Sequence, residues 1–501
     1  MLLNFYSKNF KSFRNGFSLS MKPTKLKDLN DSILKYTSNN QEKKALSSGV
    51  IYGPNASGKT TLIEAINCFK KIVLNGGISS VDNNLQNKTN NFLMLVPFIY
   101  SQNLEPVEFE IEFSEKNNDE YNEYRYGLKL ILGNFFDTYI KQKIIEEYLY
   151  IDNKEIFFRN NKSVDVFYKK ISKASLNNGL SENMFDNFLN IMKNNLEDTK
   201  LFLSTDFASF VSKEIYNNIF NWFSNKLQIF IEFSNLNYTI QSEKNKNIKL
   251  PNYIFKAVNQ IGVIGSELIY VKSEKNENDV VLVSKLKTGD NREITIPSRL
   301  IESLGTLKFI DLFPAVLISL LSGSTLIIDE LDSSLHPMVI MSIINIFHDP
   351  EINKYNAQLI FNTHNPIYLN NKLFRRDEMC FVEKDKDTKI SEFYKLSDFK
   401  TNSNNPCLHA VLYPPQNGRA PVLYGAAAGG VYRGCAKVAG GPRRAAALQG
   451  RGPRMMGERS APPRLRLKRG KPPRMQNALL IKERRTGPGK SLFFKMLNKM
   501  G

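Results

Sequence analysis

The run Gly53-Pro54-Asn55-Ala56-Ser57-Gly58-Lys59-Thr60 fills every fixed position of the pattern Gly-x-x-x-x-Gly-Lys-Ser/Thr. It lies between Val50–Tyr52, a short apolar segment that reads as a strand, and a helix-patterned run from Thr60 to Leu74 that Gly76-Gly77 stops. Strand, glycine-rich turn and helix in that order aim backbone N–H groups and a helix N-terminus at one point, which suits phosphate oxygens. Lys59 is then expected on the β- and γ-phosphates of a bound nucleotide and the Thr60 hydroxyl on Mg²⁺, with Thr61 in the same binding set.

A second run, Ser324-Thr325-Leu326-Ile327-Ile328-Asp329-Glu330, reads as a buried strand that ends in two carboxylates. Such a pair alone also fits a strand capped by solvated acids. With a phosphate loop upstream, Asp329 is expected to hold Mg²⁺, and Glu330 to orient or deprotonate the attacking water. Between the two runs lies Glu302-Ser303-Leu304-Gly305-Thr306, ahead of the helix Leu307–Leu321. Ser-x-Gly there is a common helix cap, and also an anion-binding device made of a hydroxyl and exposed amides. Gln358–Asn362 reads as a strand leading into Thr363-His364-Asn365, where His364 is either a structural histidine or a contact to the γ-phosphate.

Net charge first suggests nucleic acid, at +19 for the 501 residues, but it is unevenly spread. Residues 401–501 carry 20 of the 68 Lys and Arg and only two of the 49 acids, so residues 1–400 are balanced to +1. That tail is rich in Gly, Pro and Arg and lacks apolar periodicity. It reads as a disordered, low-complexity segment foreign to the body, or else as a basic arm for nucleic acid or an acidic partner. Gly487-Pro488-Gly489-Lys490-Ser491 ends like a phosphate loop, but Arg484 occupies the first glycine position and no strand precedes it. The four cysteines show no metal or disulfide spacing, which points to a cytoplasmic protein. Leu312–Ile328 is too short and too interrupted for a membrane span and reads as a buried helix followed by a buried strand.

Elsewhere, Leu2–Phe13 and Phe17–Met21 read as strands joined at Asn15-Gly16, a favoured hairpin dipeptide. Alternating runs over 106–158 predict antiparallel strands. Residues from about 165 to 235 read as more helical, with Phe185, Phe188, Leu189 and Met192 at helical spacing. Strand–helix alternation is expected to resume near 265 and run to about 400. The acids of Glu383-Lys384-Asp385-Lys386-Asp387 read as a charged turn between strands.

GPNASGKTT, ESLGT, LIIDELDSSLHP, QLIFNTHN and FRRDEMCFVEKD together resemble the SMC/RecF/OLD-related branch of ABC ATPases. The likeness is closest to compact bacterial abortive-infection, AAA-type ATP-binding proteins. It spans roughly residues 1–400 and is weak over 135–265. It implies an α/β P-loop fold of ABC ATPase type, with a mixed sheet, an antiparallel N-terminal β lobe and a mainly helical insertion. The implied divisions are 1–134 for the N-terminal lobe, 135–264 for the insertion, 265–400 for the C-terminal lobe and 401–501 for the tail.

The resemblance gives Ser303 and Gly305 the signature role, Ser334-Leu335-His336 the D-loop and His364 the switch histidine. The signature is degenerate, with Leu304 before Gly305, and Gln102 is a weak candidate for the Q-loop glutamine. In such ATPases each nucleotide lies between the phosphate loop of one subunit and the signature of another, so one copy of each motif implies a homodimer. ATP hydrolysis in phage defence, with a nuclease or toxin partner in trans, is the leading expectation. A RecF-like clamp in DNA repair and a nucleotide-locked scaffold with little turnover are the alternatives, and DNA is a further partner the resemblance allows.

Overall fold

The computed structural model describes residues 1–399 apart from 27–28, 79–94, 101–103, 118–119, 133–141, 173–174, 178–184, 186, 190, 193–195, 232–246, 250–266, 273–279, 288 and 290–291. Gln102, residues 401–501 and the run Gly487–Ser491 therefore lie outside the described residues.

The chain enters through β1 (Leu2–Lys8) and β2 (Phe17–Ser20), forms a hairpin of β3 (Ile33–Ser38) and β4 (Gln41–Leu46), and passes through β5 (Ser48–Tyr52) into helix α1 (Lys59–Asn75). Five strands follow: β6 (Val107–Asn117), β7 (Glu120–Ile131), β8 (Lys143–Ile151), β9 (Lys154–Asn160) and β10 (Ser163–Val166). Next come α2 (Lys213–Asn221), β11 (Leu227–Phe230), β12 (Asn247–Lys249), β13 (Glu267–Lys272), β14 (Val280–Lys287) and β15 (Glu293–Pro297). Helix and strand then alternate through α3 (Leu304–Ser322), β16 (Thr325–Ile328), α4 (Pro337–His348) and β17 (Gln358–Thr363), before β18 (Met379–Lys384) and β19 (Ser391–Lys395).

Alternating burial along β6 and β7 marks a sheet with one face on a core. Seven antiparallel strands make it, in the order β10-β9-β8-β7-β6-β1-β2. β7 pairs with β8 on the far side of residue 134, so the sheet takes in strands of both the expected N-terminal lobe and the expected insertion. By contrast β5, β16 and β17 are buried at every residue, as parallel strands covered on both faces are. They belong to a mixed sheet of order β11-β16-β17-β5-β18-β19, parallel except for β19. One apolar core joins the two sheets through α1. Phe69 of α1 stacks on Phe109 and Tyr126 of the antiparallel sheet and meets Phe223 edge-on, while Leu62 and Ile66 share the core with Ile51 and Ile360. Trp222, the single tryptophan, is fully buried and stacked on Phe113 at 4.1 Å.

Parallel register sets where the loops leave the mixed sheet. Ile328 pairs with Phe361, and Tyr52 pairs with both Thr363 and Phe381. The segments that start at Gly53, Asp329 and His364 therefore emerge side by side at the C-terminal edge.

Two local expectations are corrected. The strand from Leu2 ends at Lys8, because Asn9 (φ 57°) and Lys11 (φ 51°) take left-handed backbone. The tight turn sits at Lys11-Ser12, not at Asn15-Gly16, with Phe10 and Phe13 exchanging two backbone hydrogen bonds of 2.9 Å. Strand–helix alternation also resumes later than residue 265. β12 to β15 form a separate antiparallel sheet ahead of α3. Phe185, Phe188, Leu189 and Met192 do pack together with the main core. Asp385 accepts from the N–H groups of Asp387 and Thr388, closing the charged turn between β18 and β19. Among the described residues α3 is the one helix long and apolar enough to cross a membrane, and 56% of that stretch is buried inside the fold.

Behind the phosphate loop, a buried polar cluster ties three elements together. Ser48 Oγ of β5 lies 2.7 Å from His348 Nε2 at the end of α4 and 3.1 Å from Glu378 Oε1, just before β18. The other Glu378 oxygen accepts the Arg375 N–H at 2.7 Å. Burial raises the Glu378 carboxyl to about 8 and lowers His348 to about 4, so at neutral pH both are uncharged and share the Ser48 hydroxyl. The unfolded chain releases the Glu378 proton near 4.5 and the folded chain near 8. Folding therefore takes up a proton in that window, and stability falls as pH rises through it. His348 acts on the acid side, costing stability as pH falls from 6.5 to about 4. Thermal melts of Glu378→Gln from neutral pH to about 8 should lack the decline that the native chain shows there.

Candidate nucleotide site

β5 delivers the chain to Gly53, and α1 begins at Lys59. Pro54, Asn55 and Ala56 form the exposed crest between them, and Thr61 lies half-buried in the first helical turn. Ala56 (φ 62°) and Gly58 (φ 115°) hold left-handed backbone that tightens the loop. At Gly58 a side chain is excluded twice, by that angle and because a Cβ would stand 2.7 Å from Ser391 Oγ. Ser391, the first residue of β19, donates to the Ser57 carbonyl at 2.6 Å and its Oγ lies 2.8 Å from the Ser12 hydroxyl, from which it can accept. The loop is thus braced by β19 and by the Phe10–Phe13 turn.

Lys59 Nζ donates to the carbonyls of Gly53 (2.9 Å) and Pro54 (3.0 Å) and lies 3.2 Å from His364 Nδ1. Thr60 Oγ1 donates to Asp329 Oδ1 at 3.3 Å. Asn362, in β17, joins the acidic pair: its amide N–H donates to the same Asp329 oxygen, and its Oδ1 accepts the Glu330 N–H at 2.5 Å. Glu330 takes left-handed backbone (φ 48°). Its side chain is 57% exposed and lies 3.9 Å from His364 Nε2, itself 40% exposed. Lys59, Thr60, Asp329, Glu330 and His364 are thereby brought together from three separate segments.

Ser303 and Gly305 belong to a different place. The Ser303 hydroxyl caps α3 by accepting the Thr306 N–H at 3.1 Å. Gly305 lies against the next loop, where a Cβ would be 2.6 Å from the Ser334 carbonyl. Among the described residues no hydrogen bond or ion pair joins 303–305 to the phosphate loop. His336 of the expected D-loop caps α4, its Nδ1 accepting the Met338 N–H at 3.3 Å.

Charge at this edge is mainly acidic. Burial lowers the Lys59 ammonium below the usual lysine range, against the pull of Asp329, Glu330 and Asp332. Burial raises the Asp329 carboxyl, while the bonds from Asn362 and Thr60 oppose that rise and Glu330 and Glu64 add to it. The Thr60 hydroxyl and Asp329 carboxylate face each other as hard oxygen donors, a pair that fits Mg²⁺, which takes few protein ligands and fills its shell from phosphates and water. Among the described residues the buried Ser57 hydroxyl has no hydrogen-bond partner, as suits a loop whose polar groups are meant for a ligand. Among the described residues no group of three or more His, Cys, Asp or Glu side chains could hold a metal ion by itself.

Residues 50–370 match the family described as "AAA domain, putative AbiEii toxin, Type IV TA system". The chain belongs to that family. The match runs from the strand before the phosphate loop to just past His364, so it contains Lys59, Thr60, Ser303, Gly305, Asp329, Glu330, Asn362 and His364, while the bracing Ser12 and Ser391 lie outside it. Among solved structures, the chain is similar to the SMC head domain from Thermotoga maritima, at 14% identity and a TM-score of 0.34 over 79% of this chain and 98% of that one. No curated protein matches it.

Several residues of this AAA-family site carried no role in the sequence reading. Asn362 lies within the recognised QLIFNTHN run, but pattern alone does not show that one amide serves both Asp329 and Glu330. Asp332 accepts from Thr363 Oγ1 at 2.6 Å, and Lys11 pairs with Glu64 of α1 at 2.7 Å. Ser391 lies far along the chain from the loop it braces and has no local signal. The described contacts make Lys59 the residue with most to offer a nucleotide's phosphates. Lys59→Ala should weaken binding of a fluorescent nucleoside triphosphate by about ten- to a hundredfold, the usual cost of losing a charged hydrogen-bond partner, as read by titration.

Proposed function

We propose that this chain binds ATP with Mg²⁺ and hydrolyses it as a two-fold dimer, using the nucleotide as a conformational switch. The observation that carries this reading is the separation within one chain. The phosphate loop, Asp329, Glu330 and His364 converge at one sheet edge, while Ser303 and Gly305 make no polar contact with that loop. A second copy is then needed to bring a signature turn to each nucleotide. Exposed apolar side chains support such a face: Leu300 and Leu304 flank Ser303, Met338 follows the D-loop and Ile367 follows His364.

In this scheme the loop amides and Lys59 bind the phosphates. Thr60 and Asp329 would hold Mg²⁺, whose charge offsets that of the phosphates. Glu330, exposed and free to swing on its side chain, accepts the proton of the attacking water. His364, between Lys59 and Glu330, donates to the γ-phosphate. The biological setting in this proposal is bacterial phage defence in the cytoplasm, with a toxin or nuclease partner in trans; what supports it is that the family's description names a putative AbiEii toxin and a Type IV TA system.

Glu330→Gln should cut turnover by at least about a hundredfold, the usual weight of a general base, while ATP-bound dimer accumulates on size exclusion with light scattering. Native specific activity should fall on dilution. Activity that stays constant down to a verified monomer would overturn the shared-site reading, and a Glu330→Gln chain with unchanged turnover would overturn the catalytic one.

A further inference from the structure

The peptide at Glu330 is held from both sides. Asn362 Oδ1 accepts its N–H at 2.5 Å, and Lys308 Nζ donates to its carbonyl at 2.9 Å. Lys308 also donates to Ser333 Oγ, three residues on. The grip matters because Glu330 (φ 48°) and Ser334 (φ 66°) both occupy left-handed backbone, a conformation that side-chain-bearing residues keep only when their surroundings impose it.

Lys308 belongs to α3, one turn beyond Gly305. Gly305 itself rests on the Ser334 carbonyl, so the first two turns of α3 touch the 330–334 segment at two separate points. One is a close backbone approach that only glycine permits. The other is the lysine. Ser303, the cap of the same helix, therefore moves with a body that is fastened to Glu330.

We propose that Lys308 is a positioning residue that couples the two nucleotide sites of the dimer. It locks the Ser303–Gly305 turn, which faces the partner's nucleotide, to Glu330, which faces the chain's own. This inference rests on the shared-site reading. Closure of one signature turn on a nucleotide would pull, through α3 and Lys308, on the carbonyl of the glutamate at the other nucleotide, so the two sites would be set together.

The test compares the native chain with Lys308→Met and Lys308→Arg, using Mg-ATP. The native dimer should show a Hill coefficient between about 1 and its ceiling of about 2. Lys308→Met should bring it to about 1 and lower kcat by about tenfold or more, with monomer affinity for fluorescent ATP within about twofold of native. Lys308→Arg, which keeps the donor, should retain cooperativity. Independently of activity, amide exchange over 330–334 in the nucleotide-free chain should quicken in Lys308→Met and not in Lys308→Arg. Should Lys308→Met fail to fold, Ser333→Ala removes the neighbouring contact and should also lower the Hill coefficient. A cooperative native dimer whose Lys308→Met form is equally cooperative would overturn the coupling alone. A native chain that stays monomeric in Mg-ATP would overturn the dimer and the coupling with it.

Discussion

Three buried strands paired in parallel register, β16, β17 and β5, set the position of everything else. Each is too apolar to face water on either side, so each must be central, and parallel pairing then makes their C-terminal ends coincide. Gly53, Asp329 and His364 are the first residues past those ends. No long-range device is needed to gather the phosphate loop, the acidic pair and the histidine, because the ladder of hydrogen bonds does it. Ligand sites at the carboxyl edge of an open α/β sheet follow from the same geometry.

What the ladder leaves undone, side chains from elsewhere complete. Ser391 and Ser12 press on the loop from β19 and from the N-terminal turn, and Asn362 ties the Asp329 carboxylate to the Glu330 backbone N–H. Behind the loop, Ser48, His348 and Glu378 seal β5 to α4 and to the segment leading into β18 as an uncharged cluster. The edge gathers four acids, Glu64, Asp329, Glu330 and Asp332, against three lysines, Lys59, Lys308 and the Lys11 that pairs with Glu64. An excess of negative charge at a site for phosphates is unfavourable by itself and becomes favourable with a divalent cation, which accords with the paired oxygens of Thr60 and Asp329.

The legible part of the sequence was that in which chemistry and local structure coincide. A glycine-rich loop reveals its strand and helix because its backbone demands them, and Leu326–Asp329 reveals a buried strand because nothing else tolerates that run. Ser303 was legible as a cap, and it is one. Contacts made across the fold were not legible. Ser391 and Ser12 meet the loop from distant segments, Lys308 reaches across to a backbone carbonyl, and neither geometry leaves a spacing to find. The hairpin was misplaced for a related reason. Asn15-Gly16 has the local preference, yet the turn at Lys11-Ser12 lets Phe10 and Phe13 enter the core and gives Lys11 its partner on α1. Packing outweighs a turn preference of that size. The separate sheet of β12 to β15 was not legible because Leu268–Val271 and Val280–Val283 are short unbroken apolar runs, which read equally well as strands of a strand–helix alternation.

Trp222 lies where the antiparallel sheet meets the segment that feeds β11, against Phe113, with Phe223 linking that contact to Phe69 of the phosphate-loop helix. Since it is the only indole in the chain, its emission comes from one known spot. The molecule thus carries its own optical gauge of the joint between the nucleotide-binding helix and the β lobe, legible without a label.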